Sequence, residues 1–290
     1  MSHALPTDLI AEVEAFLGET CASSRPIGGG CIHHGTQVHM ASGQAYFLKY
    51  NAPQERGNFE AERLGLHLLA RADALPVPEP LAVGATDGHA YLLMHWIETG
   101  RPAADYWENL GQGLALQHQH SQASFGLDHD NYIGALPQPN QPTDTWAAFF
   151  ISQRLQPMIR RASQQDLLPD ELRRDLESLF PRIEELFPRE KPALLHGDLW
   201  GGNLLCNAAG QAAIIDPAVY YGHREMELAF MTLFDRQPPA FFEAYHATYP
   251  LAPDWRSRID LCNLYPLLVH VNLFGRGYLS SLQSALRGYL

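Results

Sequence analysis

Apolar residues recur at helical spacing near the start of the chain, with Leu9, Ile10, Val13, Phe16 and Leu17 on one face, Thr7 placed to cap that helix and Gly18 to end it. The period then falls to two. The stretch ending at Ile27 and residues 37–40 and 44–50 read as strands, separated by the run Gly28-Gly29-Gly30-Cys31 and by a Ser42-Gly43 turn. Past Pro53 a helix is expected over about residues 58–71, and the prolines from Pro76 to Pro80 break it. A further hairpin, 81–84 and 89–97 around Asp87-Gly88, brings the sheet to about five strands. Beyond Glu98 the β signal stops. Helices are expected over about 104–121, 145–162 and 170–187, the last striped by Leu172, Leu176, Leu179, Ile183 and Leu186. Short apolar runs at 193–195, 204–206 and 212–216 predict a hairpin around the loop 198–203, and Leu264, Leu267, Leu268, Val271 and Phe274 mark a late helical core. This switch of period predicts an α+β chain of two lobes. Residues 1–97 would hold an antiparallel sheet and a helix, residues 98–290 a mostly helical lobe with β-hairpins, and the hinge would fall near residues 94–100.

Composition narrows the partners. A chain of 290 residues with 46% hydrophobic and 18% charged residues is globular in type, and a formal charge of -12 on only 20 Lys plus Arg argues against nucleic-acid or anionic-membrane surfaces. Any phosphate site must therefore be built locally. Cys21, Cys31, Cys206 and Cys262 lack C-x-x-C spacing, no basic and apolar leader opens the chain, and no apolar run nears the ~18 residues of a membrane span, so a cytoplasmic location is expected.

The densest chemistry lies in Leu194-Leu195-His196-Gly197-Asp198-Leu199-Trp200-Gly201-Gly202-Asn203 and in Ile214-Ile215-Asp216-Pro217. An Asp five residues before an Asn, answered by a second Asp after the next apolar run, repeats the spacing of kinase-like phosphotransferases. Phosphoryl transfer needs a carboxylate at the acceptor hydroxyl, and an amide oxygen and a second carboxylate on Mg²⁺ at the nucleotide phosphates. Asp198 fits the first role; Asn203 and Asp216 fit the second. Strand alternation puts Lys49 on the face of Ala45 and Phe47, where a lone ammonium needs an anion. Glu62 points along the apolar stripe of the next helix and is the expected partner, with Glu60 as the alternative. The glycine run, Gly28, Gly29 and Gly30 with Cys31, is either a phosphate-covering loop or a plain hairpin connection, and matches neither the P-loop nor the dinucleotide fingerprint. Met94, His95 and Trp96 either face an adenine or serve as core. The turn-rich stretch 125–140, with Asn131, could bind an acceptor or supply turn and cap chemistry. A metal hydrolase built on His196, Asp198 and His223 is the rival reading, but no His pair stands at helical ligand spacing.

Taken together, Gly-Gly-Gly-Cys31-Ile, Phe47-Leu-Lys49, His196-Gly-Asp198-Leu-Trp-Gly-Gly-Asn203, Asp216-Pro-Ala and Tyr220-Tyr-Gly-His-Arg-Glu resemble the fructosamine kinase family, the ketosamine 3-kinases. The likeness extends to Asn131-Tyr-Ile-Gly with Gln138 and Asn140, to Trp146 through Leu155, and to His270, Phe274 and Tyr278. It implies a bilobal protein-kinase-like fold, related to aminoglycoside phosphotransferases, and ATP- and Mg²⁺-dependent phosphorylation of the sugar 3-hydroxyl of ketosamines, free or on glycated protein lysines. The resulting 3-phosphate leaves, which ties the family to deglycation. Asp198 would be the catalytic base, Asn203 and Asp216 the metal ligands, and Lys49 with Glu62 the phosphate-positioning pair. The glycine loop with Cys31, and residues 94–96, would hold the nucleotide, while His196, Trp200, Asn131, Tyr220 and Glu225 are candidates for acceptor contact. Cys31 is either a redox-sensitive thiol or a small buried residue. His95 in the hinge, and Glu227 where relatives can carry Asp, are local departures. A kinase of the same fold acting on an amino sugar or amino alcohol, or a nucleotide-binding module without turnover, are the alternatives.

Overall fold

The first helix of the computed structural model, which describes residues 5–28 and 32–290, is α1 (Thr7–Leu17). Pro6 precedes it in the cap position, its fixed φ suiting the entry, so Thr7 is the first helical residue rather than the cap. The helix buries Leu9 and Val13, leaves Phe16 exposed, and ends on Gly18 at φ 69°, a conformation that suits glycine. Strands β1 (Cys21–Ile27), β2 (His34–Met40) and β3 (Ala45–Asn51) follow, then α2 (Arg56–Ala72), β4 (Pro80–Ala85) and β5 (Ala90–His95). They form one antiparallel sheet in the order β1-β2-β3-β5-β4. Alternation along β3 sorts its two faces. Tyr46, Leu48 and Tyr50 pack with Leu9 and Val13 of α1, while Phe47 joins Phe59 and Leu66 of α2 with Leu92 and Met94 of β5. Lys49 shares the parity of Phe47. Gly29, Gly30 and Cys31 lie outside the described residues.

The helical part runs α3 (Tyr106–Gln119), a small hairpin of β6 (Asn131–Ile133) and β7 (Leu136–Gln138), then α4 (Trp146–Phe149), capped by the Thr145 hydroxyl accepting from the Ala148 N–H at 3.2 Å. A π-helical segment, Phe150–Leu155, separates α4 from α5 (Gln156–Gln164). The single helix expected over 170–187 is instead α6 (Asp170–Ser178), a 3₁₀ turn Phe180–Arg182 and α7 (Ile183–Leu186), because Pro181 has no N–H to continue the ladder. Short strands β8 (Ala193–Leu195), β9 (Leu204–Cys206), β10 (Ala212–Ile214) and β11 (Tyr220–Gly222) precede α8 (Glu225–Phe234), α9 (Pro239–Thr248), α10 (Ile259–Phe274) and α11 (Leu279–Leu286). The expected hairpin of 193–195 with 204–206 does not form. β8 pairs with β11, and β9 with β10. In α10, Leu264, Leu267, Leu268 and Val271 are buried, but Phe274 is 52% exposed and is not core.

Contacts divide the chain into two compact units, Met1–Ala104 with Leu204–Asp216, and Asp105–Asn203 with Pro217–Leu290. The β9–β10 hairpin therefore belongs with the sheet, not with the residues beyond 97 to which the sequence assigned it. It is tied there by the Thr99–Asn207 bridge and by Ile214 N–H donating to the Pro76 carbonyl at 2.9 Å. Among the described residues no helix is long and apolar enough to cross a membrane.

Candidate active site

In the first unit β3 delivers Lys49 into a buried ionic cluster. Its ammonium donates to both carboxylate oxygens of Glu62 at 2.8 Å and to Asp216 Oδ1 at 2.7 Å. Glu62 is thus the partner; Glu60 pairs with Arg63 on the exposed side of α2. Burial alone would lower the Lys49 pKa, but Asp216 and then Glu62 raise it, so the ammonium stays charged. Two carboxylates share this one cation, and Glu62 is pushed above the usual carboxylate range by burial first and by Asp216, against the pull of Lys49. Asp216 holds a left-handed backbone at φ 57°, with a side chain still 35% exposed. Strain of that kind costs on the order of 1 kcal/mol and often accompanies function.

Gly28 follows β1, and among the described residues no atom lies within 4 Å of where its Cβ would project. Met94 is core between β5 and α2. His95 stacks on Tyr46 and lies 3.7 Å from Glu79, whereas the Trp96 indole N–H is buried without a partner among the described residues.

In the second unit β8 leads into the loop holding Asp198. Gly197 makes the turn at φ 86°, where a Cβ would sit 2.0 Å from the Ala218 carbonyl oxygen, so any side chain would displace the loop. The Asn203 amide nitrogen donates to the Asp198 carbonyl at 2.8 Å and to its carboxylate at 3.1 Å. That leaves the Asn203 amide oxygen, a hard donor suited to Mg²⁺, outside these bonds. Asp198 N–H donates to Nδ1 of His196, which is fully buried behind the loop.

Glu227 fastens this loop from α8. Its carboxylate accepts the N–H of Gly197 at 2.8 Å and of His196 at 3.2 Å, while His118 Nε2 approaches at 2.8 Å. A carboxylate only accepts, so His118 carries hydrogen on Nε2, and in the neutral imidazole Nδ1 accepts from the Tyr245 hydroxyl at 2.7 Å. Burial would raise the Glu227 pKa; the hydrogen bond from His118, with the Gly197 N–H, holds it below the ordinary range instead. His118 was not singled out in the sequence. Its signal is a polar residue on the α3 face that also buries Leu110 and Leu114.

Beside the loop Asp198, Tyr220, Phe230, Tyr265 and His270 line a small pocket. Trp200 packs over Gly202, where a Cβ would meet the indole at 2.3 Å, and stands edge-on to Phe234 at 6.2 Å. Two candidates for acceptor contact are otherwise engaged. Glu225 is buried in a two-pronged ion pair with Arg258, both bonds 2.7 Å, and Asn131 spends its whole amide on Val219, Gln138 and Asn140. His223 packs among the rings of Trp146 and Phe187 and bonds the Pro188 carbonyl, which takes it out of the metal reading with His196 and Asp198.

A probable ketoamine kinase of Synechocystis is 41% identical over 267 residues, spanning 91% of this chain and 88% of its own. The crystal structure of a candidate fructosamine-3-kinase from Thermobifida fusca superimposes with a TM-score of 0.88 at 37% identity, covering 98% of each chain. An aminoglycoside phosphotransferase, at 18% identity and a TM-score of 0.64 over 96% of this chain and 98% of its own, shares the fold alone, which is kinase-like. The fructosamine kinase profile matches residues 7–290, and the chain belongs to that family.

Proposed function

We propose that the protein transfers the γ-phosphoryl group of ATP to the 3-hydroxyl of a ketosamine, a ketose joined to an amine such as the side chain of lysine, free or in a protein. The observation that carries this reading is Asp198 at the wall of a pocket, in a loop whose backbone Glu227 fixes and whose Asn203 clamps the same Asp. In this reading Asp198 accepts the proton of the 3-hydroxyl as its oxygen bonds phosphorus and ADP departs. Lys49, oriented by Glu62, binds nucleotide phosphate oxygens. The Asn203 amide oxygen and the Asp216 carboxylate would each serve as a ligand for Mg²⁺, being oxygen donors of the kind that ion prefers. When bound, Mg²⁺ neutralises charge on the phosphates. Tyr220 and Trp200 contribute surface to the acceptor, while Asn131 and Glu225 act through the neighbours they hold.

The test is ADP release with Mg-ATP and ribuloselysine, fructoselysine, an aminoglycoside or choline, with Asp198→Asn as the blank. Turnover with a ketosamine, reduced by orders of magnitude in the blank, supports the reading. Turnover with the aminoglycoside or choline alone would replace the acceptor, and nucleotide binding without turnover would make the chain a binding module.

A further inference from the structure

The function proposed above leaves one costly feature unused. Arg154 is 0% exposed, near the end of the π-helical segment Phe150–Leu155, and its hydrogen-bond partners among the described residues are neutral oxygens. One terminal nitrogen donates to the carbonyls of Pro139 at 2.6 Å and Gln153 at 3.0 Å, the other to Asn140 Oδ1 at 2.7 Å, and Nε has no partner among those residues. A guanidinium buried with this set is expensive, and a π register inside a helix is rare and frequent at functional sites.

The aromatic faces show what it holds. Its central carbon lies 4.0 Å from the centre of the Tyr220 ring, 4.5 Å from that of Phe149 and 5.4 Å from that of Tyr265. Tyr220 and Tyr265 line the pocket that Asp198 lines, so their rings separate the cation from the acceptor space. Polar groups extend the same support. Asn140, held by Arg154, donates to Asn131 Oδ1 at 2.9 Å; Gln138 donates to that oxygen at 2.8 Å and to the Ala218 carbonyl at 3.1 Å. Asn131 donates to the Val219 carbonyl at 2.7 Å, and the Tyr265 hydroxyl donates to Gln138 Oε1 at 2.7 Å. Ala218 N–H in turn donates to the His196 carbonyl at 2.8 Å, and Tyr220 pairs with Leu195 in β11–β8. The paths through Tyr220, Tyr265, Asn131 and Gln138 end on the pocket wall or on the backbone entering the Asp198 loop, while others from Arg154 and Asn140 end at Gln153, Asp130 and His129.

We infer that Arg154 is a positioning residue for phosphoryl transfer, fixing through Tyr220, Tyr265 and the Asn131–Gln138–Asn140 network the acceptor wall and the approach to Asp198. This rests on the ketosamine kinase reading and adds to it a role for the 131–140 stretch, whose polar side chains act behind the pocket. The arrangement also accounts for a cation in place of an apolar residue. A planar guanidinium can lie against two tyrosine faces and bond edgewise to Asn140, which neither Met nor Lys can do at once.

The experiment compares Arg154→Met, Arg154→Lys and Tyr265→Phe with the wild type in ketosamine turnover, KM for ATP, ATP binding by calorimetry, and Tm. Arg154→Met leaves the Pro139 carbonyl and Asn140 Oδ1 without its donors, so a Tm lower by several degrees is expected. ATP affinity is expected to hold while kcat falls roughly 100-fold, more than the change in Tm accounts for. Arg154→Lys recovers part of that loss. Tyr265→Phe, which removes only the bond to Gln138, is expected to lower kcat roughly five-fold and Tm by a few degrees at unchanged ATP affinity, and it decides the matter if Arg154→Met does not fold. A kcat within three-fold of wild type in Arg154→Met, a loss that follows Tm or ATP affinity in proportion, or an unaffected Tyr265→Phe overturns the role. A wild type inactive on every ketosamine, while binding ATP, overturns the ketosamine reading itself and this role with it.

Discussion

Glu227→Gln tests whether the loop holding Asp198 is fastened from behind. The carboxylate takes three donors, the N–H groups of His196 and Gly197 and Nε2 of His118. In the variant the amide oxygen can serve Gly197, and the amide nitrogen can face His118 if the imidazole changes tautomer and donates to Tyr245. The His196 N–H is then left without an acceptor. One orphaned buried donor costs about 1–3 kcal/mol, and exchanging a charged acceptor for a neutral one about 1 more, so the expected loss is about 2–4 kcal/mol. Displacing Asp198 by part of an ångström should lower kcat roughly 100-fold. The assay is urea unfolding at several pH values with turnover at pH 7. Because the folded-state pKa of Glu227 is depressed, its contribution is fully present above the ordinary carboxylate range and is lost as pH falls through the lowered value. The gap between wild type and variant should therefore narrow only at acid pH. A gap under about 0.5 kcal/mol at pH 7, or one unchanged on acidification, would refute the reasoning.

Three further outcomes follow from the same structure. Lys49→Met leaves two carboxylates around a missing cation and should destabilise by about 3–5 kcal/mol with loss of turnover, measured by urea unfolding and ADP release; preserved turnover would contradict its role. Gly197→Ala must escape both its φ of 86° and the Ala218 carbonyl, at a cost of about 2–4 kcal/mol, which thermal unfolding will report. His33 packs on Phe59, and its Nδ1 lies 3.1 Å from the Asn51 amide nitrogen; burial first, then Lys49, lowers its pKa to about 4. The unfolded chain binds a proton near 6.5 that the folded one refuses, so stability falls as pH drops from 6.5 to about 4, and His33→Gln should flatten that slope in urea titrations.

The sheet, the pairing of Lys49 with Glu62 and the helical remainder were legible because each rests on a period sustained over many residues. Strand partners were not. β8 and β9 have only three residues each, too short for alternation to specify a register, and β8 finds β11 across 24 intervening positions, from Leu195 to Tyr220. The break at Pro181 was written in the sequence and was overridden by the leucine stripe on either side of it. The π segment changes a hydrogen-bond register without changing composition, so nothing in Phe150–Leu155 announces it. At the site, the loop from Asp198 to Asn203 was readable from spacing, but the buried partners that fasten it came into view only with the packing. His118 and Arg154 resemble ordinary helical polar residues until the apolar face around them is known. Asn131 and Glu225 show the converse, since polar groups near a motif can be consumed by Val219 and Arg258.

The most direct measurement of the central claim is phosphorus NMR of ribuloselysine incubated with Mg-ATP. A phosphomonoester coupled to the sugar H3, formed with ADP by the wild type and absent with Asp198→Asn, is the predicted result, followed by its decay to inorganic phosphate, free lysine and a sugar-derived dicarbonyl. A phosphate ester at another hydroxyl, or equal product from Asp198→Asn, would contradict the account.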